Sequence, residues 1–181
     1  MNIGNERIIV DACCGICLYA SGYMRSILQT LPQIAIAEYV FQNEMKSIHN
    51  PLEAMDVTEF VNEGLVEILA LQSEAEEQTS VNLAFYMEDG EADSGAIAIH
   101  RQWVLATDER KVIAHFQSNY PHIQLATTPE ILKYWADENQ LSAPDIAMAI
   151  RNIELRARYV VASDHALREW WQYFKTLSEV G

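Results

Sequence analysis

Two carboxylates stand where an apolar run stops. Asp11 closes the run Arg7-Ile8-Ile9-Val10, and Asp108 closes Trp103-Val104-Leu105-Ala106-Thr107. Short apolar runs of this kind read as buried parallel strands. An acid at the carboxyl end of such a strand has two uses. It caps the following helix by accepting from backbone N–H groups, or it offers oxygens to a hard cation such as Mg²⁺ or Mn²⁺. Carboxylates converging from separate strand ends and helix starts would let such ions activate water and stabilise the leaving oxygen of a phosphodiester. Thr107 is placed to orient Asp108 through its hydroxyl.

Other residue types point to weaker chemistry. Cys14-Gly15-Ile16-Cys17 spells C-x-x-C after a strand and at a helix start, as in redox motifs. It lacks their flanking residues, Cys13 adds a third thiol, and no second ligand pair for zinc is evident. The three thiols read as small buried hydrophobes, with oxidation beside Asp11 a route to inhibition. The histidines His49, His100, His115, His122 and His165 are scattered and read as structural or surface residues. No nucleophile elbow and no Gly-rich phosphate loop occurs. Trp170-Trp171 and Tyr173-Phe174 serve packing or base stacking. Arg151, Arg156, Arg158 and Arg168 make the C-terminal part the least acidic, suited to phosphate contact or to helix-face solvation.

The elements that would position these residues follow from hydrophobic periodicity and from Gly, Pro and capping signals. Strands are expected at residues 7–11, 33–37, 65–71, 103–107 and 123–126. Helices are expected at 12–20, 23–31, 38–46, 56–63, from a Ser73/Glu76 capping box to 87, 92–102 and 109–118. Thr128, Pro129 and Glu130 read as N-cap, first-turn proline and first-turn acid of a helix reaching 138. Further helices open at Pro144 and near His165. Asp89-Gly90 reads as a break, as does Asn50-Pro51. Strands alternating with helices predict an α/β fold with a mostly parallel central sheet flanked by helices. Its ligand site would lie beyond the carboxyl ends of the strands.

Composition bounds the function. The 181 residues suit one domain, half of them are hydrophobic, and the formal net charge is −14. Such acidity argues against a simple nucleic-acid binder, whose footprint is basic. It is compatible with phosphate chemistry where bound cations neutralise the site. No apolar stretch long enough to span a membrane and no leader-like start is present, so a soluble, cytoplasmic protein is expected.

The segment RIIVDACCGICLYASGYMRSILQTLPQIAIAEYVFQNE resembles the opening of PIN-domain nucleases, the family of the VapC toxins. GEADSGAIAIHRQWVLATDERK resembles the second half of that signature. The resemblance implies a three-layer PIN-like core over residues 1–127, with residues 128–181 as an extra C-terminal helical layer on the same domain. That layer would be free to cover the site, bind a partner or form a homodimer. It implies an endoribonuclease dependent on Mg²⁺ or Mn²⁺, with RNA as substrate and a protein inhibitor (an antitoxin) as partner. Asp11 matches the first family acid and Glu44 the second, with Glu38 a close competitor. Asp93 matches the third, with Glu91 an alternative ligand at that place, and Asp108 matches the fourth. The acids Glu74, Glu76, Glu77, Glu88, Asp89, Glu91 and Asp93 make the middle of the chain more acidic than the family pattern. Two other readings stand beside this one: a non-catalytic PIN-like module that binds a basic protein, and a nuclease acting on DNA.

Overall fold

A computed structural model describes residues 6–45 and 56–179, with side chains to 177. The expected break at Asn50-Pro51 and the end of the 38–46 helix lie outside the described residues. Five strands form one sheet: β1 (Ile8–Val10), β2 (Ile34–Ala37), β3 (Val66–Leu69), β4 (Val104–Ala106) and β5 (Leu125–Ala126). Their order is β3-β2-β1-β4-β5 and every pairing is parallel. The expectation of a mostly parallel sheet is thus met by an all-parallel one among the described residues.

Every residue of β1, β2 and β4 is buried, so helices must cover both faces. Helix α5 (Asp89–Arg101) lies along β1, β2 and β4, with α4 (Glu74–Leu83) beside it. The opposite cover is α1 (Ala12–Ala20), α2 (Met24–Thr30), α7 (Thr128–Glu138) and α8 (Ala143–Arg156), which pack together. There the indole of Trp135 donates to Ser26 Oγ at 2.9 Å and its ring sits 5.2 Å from that of Tyr23. Helices α3 (Thr58–Asn62), α6 (Arg110–Asn119) and α9 (Arg168–Glu179) complete the set. None of the described helices is long and apolar enough to cross a membrane.

The departures from expectation fall where the acids are. Residues 40–44, expected as ordinary helix, form a π-helical turn (Val40–Glu44), with the Met45 N–H bonded to the Val40 carbonyl at 3.0 Å. The extra residue per turn rotates Glu44 relative to an α-helical register. Helix α5 begins at Asp89, not Ala92, so Asp89-Gly90 is no break. A capping box explains this: the Glu88 side chain accepts from the third-position N–H, and Glu91 accepts from the Glu88 N–H at 2.9 Å. The cap of α7 is Thr127 rather than Thr128, in a capping box with Glu130. Ser73 caps α4 as expected, but Glu76 turns to the Gln72 N–H and to Arg101. Helix α9 opens at Arg168, three residues later than expected.

Candidate functional site

The sheet order places β1 and β4 side by side, and their connections run in opposite directions along the sheet. Such a switch point leaves a crevice beyond the strand ends. The Asp11 N–H donates to the Ala106 carbonyl at 2.9 Å, so the two strand ends are stitched together there. The Asp11 side chain is only 2% exposed. Its Oδ1 accepts from the Ala12 N–H at 2.7 Å. Its Oδ2 accepts from the Thr107 hydroxyl at 3.0 Å and the Cys13 thiol at 3.2 Å. The cap role is therefore met, with Asp11 at the N-cap of α1. Burial pushes the Asp11 carboxyl above its ordinary range, against those donors, and the negative charge of Glu109 adds to the rise.

Three other acids share its field. Glu44, carried by the π-helical turn, is raised to about 7, first by burial and then by the charges of Asp11, Glu88 and Glu91. A bond from the Gly90 N–H opposes that rise. Gly90 has no side chain, and a Cβ there would collide with the Glu44 carboxylate. Glu91 is raised by burial, with Asp11 and Glu109 adding and Lys111 opposing. The Lys111 ammonium stands 3.6 Å from Glu91. Glu109 stands at the N-cap position of α6 without a side-chain capping bond, and its N–H donates to Thr107 Oγ at 3.2 Å. Thr107 thus links Asp11 to Glu109, and its hydroxyl serves Asp11 rather than the expected Asp108.

Two of the expected site residues point elsewhere. Asp108 accepts from the Thr128 N–H at 3.0 Å, the Thr128 hydroxyl at 2.5 Å and the Tyr159 hydroxyl at 3.2 Å. Its carboxylate holds the first turn of α7 against the end of β4. Asp93 lies on the other side of α5 from Glu91 and accepts from Ser80 Oγ at 2.5 Å. Burial raises both. Glu38, the competitor for Glu44, is exposed and accepts from Gln42. Asp11, Glu44 and Glu91 thus lie within electrostatic reach of one another, and Glu109 lies within reach of Asp11 and Glu91. Sequence reasoning passed over Glu109 because Asp108 is the acid that directly follows the strand. Only the identity of the true α6 cap tells them apart.

Cys13 is half-buried, while Cys14 and Cys17 are buried. Burial pushes all three thiols up, Cys17 to about 12, which leaves little thiolate for redox or zinc chemistry. Their reading as small core residues agrees with this.

The donor chemistry of Asp11, Glu44, Glu91 and Glu109 fits a hard divalent ion: all are carboxylates, and the Lys111 ammonium stands beside Glu91. Mutual repulsion is what such an ion relieves. Among the described residues no three His, Cys, Asp or Glu side chains already stand in ligating positions around one point. The acids are gathered to electrostatic range rather than to a shared coordination shell. No protein-family model and no curated protein matches the sequence of this chain.

Proposed function

We propose that this chain is a PIN-type nuclease that hydrolyses RNA with Mg²⁺ or Mn²⁺ at the carboxylates around Asp11. One observation carries the reading. A buried acid, Asp11, sits at the β1/β4 switch point, bonded to Thr107 and to the Ala106 carbonyl of the neighbouring strand, and its charge reaches Glu44 and Glu91 from two other elements, while Glu109 raises it in turn. The strand order and the position of the strand-end acid support the PIN assignment, which rests on the sequence resemblance. Asp11, Glu91 and Glu109 would hold the ion, and Glu44 would hold an ion or a water molecule bound near it. A divalent ion there supplies activation of the attacking water and neutralisation of charge at phosphorus. The protein's own share is positional. Thr107 orients Asp11 and the start of α6, Gly90 leaves room for Glu44, and Lys111 restrains Glu91. Asp93 and Asp108 are assigned supporting places, since their oxygens are engaged by Ser80, Thr128 and Tyr159.

Cleavage of a labelled RNA in Mn²⁺ tests this. EDTA should abolish it, and Asp11→Asn should lower it roughly 100-fold or more, the scale on which disturbed metal sites fail. Intact RNA after prolonged incubation with wild-type protein and saturating Mn²⁺ would count decisively against hydrolysis. DNA cut in preference to RNA would move the substrate while keeping the chemistry. The formal net charge of −14 favours one other reading, a non-catalytic module that binds a basic protein. Calorimetry separates the two, because such a module gives no heat with Mn²⁺.

A further inference from the structure

Helix α4 and the turn that follows it are apolar on two sides. Inward, Leu83 and Met87 are buried, and Leu83 lies against Gly95 of α5. Outward, Val81, Phe85 and Tyr86 are 58%, 80% and 66% exposed. Val81 and Phe85 stand four residues apart, about one helical turn, and so are surface neighbours. Tyr86 rests against the His115 ring, with centroids 4.9 Å apart. The backbone beneath them is fixed, since the Tyr86 and Met87 N–H groups both donate to the Leu83 carbonyl, at 2.8 and 3.2 Å. Apolar residues scattered singly over a surface need no explanation, but a contiguous group with two aromatic rings marks a contact surface.

The rim of this surface is acidic. From Asn50 to Ile99 the sequence holds no Lys, Arg or His. The cations that the fold brings near are engaged by other acids, Arg101 by Glu76 and Lys111 by Glu91. Among the described residues no ion pair engages the exposed acids Glu74, Glu77 and Glu88. Glu77 precedes Val81 by the same four residues that separate Val81 from Phe85, so acid and apolar groups share one line along α4. Glu88 follows the two rings at the other end. Such a rim repels phosphate groups and attracts a cationic partner.

We propose that this surface docks a basic amphipathic helix of a partner protein. Bulky apolar side chains of that helix cover Val81 and Phe85, and its Lys or Arg side chains reach Glu77 and Glu88. A helix laid by its apolar face on an apolar stripe is a recurrent recognition mode. Opposite charge at the rim sets its register and speeds encounter. Docking here needs no metal, and it serves a cleaving or a non-cleaving protein alike.

Fluorescence anisotropy in EDTA tests the surface with two labelled synthetic helices of about 18 residues, one of Leu and Lys, the other of Leu and Glu in the same pattern. Wild-type protein should bind the Leu/Lys helix, more weakly as salt rises from about 0.1 to about 0.5 M. It should leave the Leu/Glu helix free. Phe85→Ser should weaken binding about fivefold or more, Val81→Ser should repeat that loss from a second position, and Glu77→Gln should weaken binding about twofold. Leu155→Ser, at an exposed apolar residue of α8, should bind as wild type does, and circular dichroism should show all four variants folded. No binding of the Leu/Lys helix, equal binding by Phe85→Ser and Val81→Ser, or an equal loss in Leu155→Ser would overturn the assignment. A wild-type dimer in sedimentation that Phe85→Ser dissolves would overturn it in favour of a second copy of this chain. A single-stranded RNA held by wild type and released by Phe85→Ser would overturn it in favour of nucleic acid. Cleavage in Mn²⁺ is measured separately, so failure of either result leaves the other standing.

Discussion

Gly90 and Glu44 show how a single residue decides whether the acids meet. Glu44 comes from the π-helical turn after β2, and Gly90 from the first turn of α5. They approach so closely that any side chain at 90 would occupy the space of the Glu44 carboxylate. The obstructing group is the free end of a flexible side chain, so Gly90→Ala should displace Glu44 instead of unfolding the protein. The expected outcome is Mn²⁺-dependent cleavage reduced about tenfold or more, with an unfolding midpoint close to wild type. Unaltered activity in Gly90→Ala would remove Glu44 from the site. At the same scale, neighbouring acids take opposite roles. Asp108 accepts from Thr128, and Glu109 adds its charge to the field at Asp11.

Among the elements, α5 positions more of the site than any other. Its start carries Gly90 and Glu91, held by the Glu88 capping box. Its middle brings Gly95 against Phe116 and Leu83, which admits α6 and α4 to close packing. Its end is tethered by Arg101, which donates to Glu76 at 2.7 and 3.0 Å and to the Ala70 carbonyl at 3.1 Å. This is a two-pronged ion pair with side chains only 15% and 5% exposed. Arg101 holds Glu76 below the usual carboxylate range. Removing one partner of such a pair strands the other charge in a dry place. Arg101→Met should therefore cost about 3 kcal/mol in urea unfolding. A loss under about 1 kcal/mol would show that solvent reaches Glu76 and that the tether is weak.

For the molecule as a whole, the charge balance predicts an inverted response to pH. Glu44 is raised from 4.5 to about 7, and Asp11 and Glu91 are also raised. An acid whose folded value exceeds its unfolded value stabilises the fold fully below the unfolded value. That contribution disappears as pH rises through the folded value. Without metal the melting temperature should fall by a few degrees between about pH 5 and about pH 8, in the same direction as the self-repulsion of a chain at −14. Glu44→Gln should flatten that fall, and Mn²⁺ should restore the wild-type value at the higher pH by binding the folded state. A flat profile without metal, or a melting temperature indifferent to Mn²⁺, would show that these carboxylates are not under mutual strain.

What local sequence determined was the set of elements and the depth of the first acid. RIIVD, IAIA and WVLAT are apolar without alternation, and only a sheet covered on both faces accommodates that. The five strands, their parallel sense and the placing of Asp11 at a strand end follow from it, as does helix α1 with its observed bounds. Tertiary structure alone decided which acids converge. The choice of Glu91 over Asp93 depends on which face of α5 meets the sheet, and the 89–90 segment that sets that rotation reads locally as a turn. The choice of Glu109 over Asp108 depends on α7, some twenty residues downstream, whose first N–H and hydroxyl at Thr128 draw Asp108 away. Hydrophobic pattern fixes what is buried, because burial is a property of each residue's own surface. The direction of a carboxylate is set by donors that arrive from elsewhere in the chain.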